Sequence, residues 1–197
     1  MAAGVRRGFV LGAAAVLLVA CSAAEPQEAT LEGELTGIVQ FGGEGNHDGL
    51  VNAKGCNEDR DVDDYYKVTT YSSAEGQAGD LGTVRIELAH CNSPDGPQQG
   101  QIGIVTEGGD ELFGEYSAEY DGAPIDITFM AETSQDACYL LGADDGDIEC
   151  RGTGVFSEAE GTAALRVSAA QTDPSDPFVP WSFDAEWVDG TVTYAAE

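Results

Sequence analysis

Thr83-Val84-Arg85-Ile86-Glu87-Leu88-Ala89-His90-Cys91 decides how the whole chain is read. Val84, Ile86 and Leu88 recur at every second position and Arg85 and Glu87 fall between them, the pattern of an extended strand whose side chains point alternately to opposite faces. Ile125, Ile127 and Phe129 alternate in the same way with Asp126 and Thr128, and Leu165 and Val167 with Arg166 and Ser168. Near the end Trp181, Phe183, Ala185 and Trp187 alternate with Ser182, Asp184 and Glu186. No segment carries a convincing helical period, so the expectation is an all-β domain with one face of each strand buried and the other wet.

Gly, Asp, Asn and Pro interrupt this pattern every eight to twelve residues, as turns of an antiparallel meander do. The spacing predicts roughly eight to ten strands, near 31–41, 64–73, 82–91, 100–107, 111–120, 124–131, 137–141, 148–156, 162–170 and 181–194. Glu107-Gly108-Gly109-Asp110, Asp121-Gly122 and Asp189-Gly190 read as turns. So many short strands must stack or close on themselves to hide their edges, and a single closed antiparallel barrel of about eight strands is expected.

Ahead of this domain stands a different kind of segment. Arg6 and Arg7 precede an apolar run from Phe9 to Ala20, the layout of an export signal. The run is about twelve residues, well short of the roughly twenty that a membrane-spanning helix requires. Leu18-Val19-Ala20-Cys21-Ser22 resembles the bacterial lipobox, in which small residues give a lipid-transferring enzyme and a peptidase access to a Cys thiol. The resemblance implies a signal peptide over 1–20, a diacylglyceryl group on Cys21, a short tether over 21–30 and a domain over 31–197. It also implies an extracytoplasmic, membrane-anchored lipoprotein, since two or three acyl chains hold a protein firmly where one does not. Arg6-Arg7-Gly8-Phe9-Val10 also looks like a twin-arginine export motif, and the residues leave the route open.

Loss of the signal leaves 36 acidic side chains against six of the eight basic ones, a formal charge of −30. Such a surface repels phosphate backbones and anionic headgroups, which argues against nucleic-acid partners and leaves membrane attachment to the lipid. Cys56, Cys91, Cys138 and Cys150 remain once Cys21 is assigned, and an even number in an exported chain reads as two disulfides. Of the three possible pairings, Cys56 with Cys91 and Cys138 with Cys150 is favoured, the second closing a local hairpin. Zinc is the rival, but no C-x-x-C pair is present and His47 and His90 lack ligand spacing.

Gly109-Asp110-Glu111-Leu112-Phe113-Gly114-Glu115-Tyr116, Gly152-Thr153-Gly154-Val155-Phe156, Gly161-Thr162-Ala163 and Gly190-Thr191-Val192-Thr193-Tyr194 together resemble a pattern of uncharacterised bacterial secreted domains. Those domains are grouped with the allene oxide cyclase-like, dirigent-like β-barrels. The likeness runs from about Leu81 to Tyr194 and implies an eight-stranded barrel with an apolar interior. It carries over no activity, because no cyclase motif maps onto these residues and fold alone does not specify function.

Nothing in the chain encodes a G-x-S-x-G nucleophile elbow, and with every Cys assigned no thiol remains for covalent catalysis. His90 shares the face of Leu88, which predicts a buried, hydrogen-bonded imidazole ahead of a general base. His47, between Asn46 and Asp48, reads as a loop residue. Asp59-Arg60-Asp61-Val62-Asp63 opens like a calcium loop, but Asp64 stands where Gly belongs and Thr70 where a bidentate Glu belongs. Asp144, Asp145 and Asp147 are calcium candidates, the alternative being a plain acidic hairpin tip. Tyr65, Tyr66, Trp181 and Trp187 belong either to the core or to the wall of a barrel mouth. The expected function is binding of an apolar small molecule or an envelope partner, with no cofactor. The alternatives are a structural acidic surface lipoprotein and a cyclase or isomerase using the barrel as a mould. A cavity inside the barrel would favour ligand or substrate; a filled interior would favour the structural reading.

Overall fold

The computed structural model describes residues 25–42, 69–92, 98–118, 122–131, 152–176 and 179–195. Within them lie β1 (Gln27–Thr30), β2 (Gly33–Gly42), β3 (Thr69–Gln77), β4 (Thr83–Cys91) and β5 (Gln98–Thr106). β6 (Glu111–Ser117), β7 (Ile125–Phe129), β8 (Glu160–Ala170) and β9 (Trp181–Tyr194) follow, and no α-helix occurs among the described residues. Each of the strands β2 to β8 pairs antiparallel with the next in sequence; β9 then pairs with both β8 and β2 and closes the ring. The fold is therefore an all-β, closed antiparallel barrel of eight strands, as the alternation predicts. Closure removes the open edges that would otherwise invite aggregation.

β1 is the ninth strand and lies in line with β2. Gln27 faces Tyr194 and Thr30 faces Thr191, whereas Gly33 faces Trp187, so both segments run along the same partner. The chain thus joins the sheet four residues before the expected boundary at 31. Ala29 is fully buried there, which holds Gln27–Thr30 in the ladder although its composition reads as tether.

The sequence expectation also needs correction at three places. Asp189-Gly190 is not a turn but part of β9: Ala164 faces Asp189 and Leu165 faces Trp187, leaving Val188 as the extra residue of a bulge. A Cβ at Gly190 would lie 2.7 Å from that of Ala163 and 3.1 Å from that of Leu31. Glycine is therefore what lets β9 bend here and serve β2 along one half and β1 along the other. The described end of the predicted strand 148–156 is a 3-10 turn, Gly154–Phe156, entered through Gly154 at φ 54°. Its Phe156 turns inward and is 2% exposed. Finally, β3 runs to Gln77, past the predicted end at 73, with Thr70, Ser72, Ala74 and Gly76 as its inward row, and 64–68 lie outside the described residues. The predicted strand at 137–141 lies outside the described residues.

Inward residues from every strand of the ring form one core. Ile86, Ile104 and Leu112 face one another across adjacent strands, and Ile102, Ile127, Phe129 and Leu165 continue the layer, each no more than 2% exposed. Burial of side chains of this size stabilises by about 1.5–3 kcal/mol each. Val167 shares the inward row of Leu165 yet is 37% exposed. The cause is β7, whose first residue Ile125 faces Leu165, so that β8 runs on without a β7 partner.

The two ends of the barrel differ. At one end, here the base, Leu31, Ala78, Phe156, Ala159 and Val192 are almost fully buried and plug the interior. Tight connections seal it: Thr30 N–H donates to Asp80 Oδ2 (2.8 Å) and Gly79 N–H to Glu32 O (2.7 Å). At the other end, the mouth, the inward positions of β3, β4 and β6 turn polar.

Candidate functional site

The mouth is built from the last inward residues of β2, β4 and β6 and the first of β3, β5 and β9. On β4 the residue after Leu88 on the inward face is His90, and Thr70 of β3 stands directly opposite it. Tyr116 reaches His90 from β6, two strands away; its Oη lies 2.7 Å from His90 Nδ1, and the two rings meet edge to face with centroids 5.9 Å apart. The intervening strand permits this only because it presents Gly100, where a Cβ would stand 2.5 Å from Tyr116 Cε2. Thr70 and Asn92 form a second pair, with Asn92 Nδ2 donating to Thr70 Oγ1 at 2.8 Å. Ser72, 5% exposed, continues the polar row beneath Thr70.

Burial drives the His90 pKa down to about 4, with the hydrogen bond to Asn92 acting in the opposite direction. The imidazole is therefore neutral at physiological pH, since desolvation penalises the charged form. The expectation of a hydrogen-bonded His is met, with the ring partly buried. A neutral imidazole beside a phenol can both donate and accept hydrogen bonds.

Trp181 and Phe41 form the apolar side of the mouth, their rings edge to face at 5.2 Å. Trp187 lies on the same inward row of β9, six residues deeper. The Nε1 donors of Trp181 and Trp187 are buried and meet no protein acceptor among the described residues. A buried unpaired donor costs about 1–3 kcal/mol, and water or a ligand atom normally removes the cost. The rim is shaped by a turn in which Ser175 donates from N–H (2.8 Å) and Oγ (2.6 Å) to Asp173 Oδ1, hydrogen bonds that hold that carboxyl below its usual range.

Other polar groups lie on the outer surface. Glu87, 6% exposed, pairs with Arg85 at 3.1 Å and accepts from the phenol of Tyr71. Burial first, and then the Glu87 carboxylate, hold that phenol well above its usual range. A space of about 10 Å³ beside Glu87, Gly103 and Phe113 is of the size of one water molecule. A broader groove of about 450 Å³ crosses β2, β9 and β8, where Arg166 pairs with Glu186 at 2.9 Å.

Of the residues singled out in the sequence, His90 and Trp181 come together at the mouth. Cys91, buried at the end of β4, is disulfide-bonded. Cys56, Cys138 and Cys150 lie outside the described residues, and the two-disulfide framework and its pairing with them. Cys21, His47, Tyr65, Tyr66 and the aspartates at 59–64 and 144–147 also lie outside. Among the described residues no three His, Cys, Asp or Glu side chains are placed to hold a metal ion, and no helix is long and apolar enough to cross a membrane. Sequence reasoning missed Thr70, Asn92 and Tyr116. Tyr116 had a signal, since it alternates with Leu112 and Gly114 on one strand face, but its partner lies 26 residues away.

No protein-family model matches this sequence, and neither does any curated protein or solved structure.

Proposed function

We propose that this protein is a lipid-anchored extracytoplasmic β-barrel that binds an apolar small molecule, or an apolar group of an envelope partner, at its polar-lined mouth. The carrying observation is the convergence of His90, Tyr116, Thr70 and Asn92 beside Trp181 at one end of an otherwise apolar interior. Hydrocarbon surface with a few placed polar groups is the usual make-up of a small-molecule site. The buried Trp181 indole N–H at the mouth favours a ligand carrying a carbonyl or ether acceptor. No cofactor is invoked, and nucleic acid is disfavoured by charge.

Anchorage rests on the lipobox-like run ending at Cys21, and an oxidising location is supported by the disulfide at Cys91. We further propose two disulfides, Cys56–Cys91 and Cys138–Cys150. Kinship with the allene oxide cyclase-like barrels stays part of the proposal; the eight-stranded ring is in keeping with it.

The filled centre of the barrel favours a second reading, a structural acidic surface lipoprotein without ligand. Ile86, Ile102, Ile104, Leu112 and Phe129 occupy the space that a mould-like cyclase would leave for substrate. Native mass spectrometry of the protein released from its own host's membranes separates the readings. A stoichiometric apolar molecule that is lost from a Tyr116→Phe variant would establish the mouth as a binding site. A clean unliganded mass for the wild type under gentle conditions would favour the structural reading. Cys21→Ala should leave the membrane fraction, and its continued sedimentation with membranes would sink the anchor.

A further inference from the structure

We infer that the barrel stands with its plugged base toward the membrane and its mouth directed away, so that ligand reaches His90 and Tyr116 from the aqueous side rather than out of the anchoring bilayer. This rests on the proposed lipid at Cys21. Its structural ground is the placement of β1: Gln27 faces Tyr194 at the extreme base end of β9, so the chain enters the fold at the end opposite His90. Only six Cα–Cα steps separate Cys21 from Gln27, and they span about 20 Å at full stretch. Strands of nine residues such as β4, rising about 3.3 Å per residue and tilted some 35–45°, set the mouth roughly 20–25 Å beyond the base. To touch the bilayer with its mouth the protein would have to draw that tether taut along its own flank. Charge sets the stand-off from the membrane rather than the orientation. Glu28, Glu32, Asp80, Glu107, Asp110 and Glu158 border the base, so anionic headgroups repel it and the barrel stands off on its tether instead of sinking into the interface.

The geometry is tested with the full-length lipidated protein in phosphatidylcholine vesicles that carry an energy-transfer acceptor on a headgroup. Donor dyes are attached without reductant to Gly108→Cys in the β5–β6 turn at the base, or to Ser117→Cys at the mouth end of β6. About twofold higher transfer from position 108 than from position 117 is expected, and Glu107→Cys against Ser168→Cys repeats the comparison should either label disturb the fold. Equal or reversed transfer from protein held on vesicles would overturn the orientation and leave the anchor standing. If instead the protein failed to associate with vesicles, or Cys21→Ala associated as well, the anchor reading itself would fall and the orientation with it.

Discussion

His90 and Tyr116 meet across Gly100. The imidazole projects from β4 and the phenol from β6, and their 2.7 Å hydrogen bond passes over a strand whose only inward residue at that level lacks a side chain. Three strands thus cooperate to place one polar pair at the mouth of an apolar barrel, and the consequences are measurable.

His90 should make stability depend on pH. Its pKa lies near 4 in the fold and about 6.5 in the unfolded chain, so between these values the unfolded state binds more protons. The His90 contribution to stability is therefore complete above pH 6.5 and is lost as pH falls toward 4. Protonation of surface acids works oppositely, by relieving self-repulsion, so the comparison must be with His90→Gln. Denaturation midpoints from pH 4 to 7 should rise more steeply with pH in the wild type than in the variant. Parallel curves would show that His90 is not held neutral by burial.

Gly100→Ala should destabilise by about 1–3 kcal/mol, the usual range for overpacking. The added methyl would lie 2.6 Å from Tyr116 O as well as against the ring, and backbone cannot yield as a side-chain tip does. Tyr116→Phe in the same background should recover little of the loss. Equilibrium urea unfolding measures both, and an unchanged midpoint for Gly100→Ala would mean that the ring does not pack over this glycine.

Ile104→Ala should cost about 2–5 kcal/mol, because Ile104 is fully buried between Ile86 and Leu112 and the rigid ring cannot collapse into the space left behind. The exposed Ile38→Ala, on the outer face of β2, should change stability by less than about 0.5 kcal/mol. Similar losses at the two sites would contradict the assignment of inner and outer faces.

Peptide mapping without reductant should return Cys56 joined to Cys91 and Cys138 joined to Cys150. The second link closes a short loop and should contribute about 3 kcal/mol. Recovery of Cys91 linked to Cys138 or Cys150 would replace the pairing while leaving Cys91 oxidised.

Local alternation determined much of this molecule from sequence alone. Val84, Ile86 and Leu88, or Trp181, Phe183, Ala185 and Trp187, carry their inward direction in their spacing, because a strand has a period of two whatever surrounds it. Charge likewise needs no fold to be read. Tertiary structure decided what depends on closure. Gln27–Thr30 looks like linker until β9 offers it a ladder, Asp189-Gly190 looks like a turn until β9 must serve two partners, and the predicted strand ending at 73 runs on through Ala74 and Gly76 because its ring neighbours pair with them. The site follows the same rule. His90 could be placed on an inward face from its own strand, but Tyr116 and Asn92 become its partners through the strand registers, which fix which side chains converge and cannot be summed from local preferences.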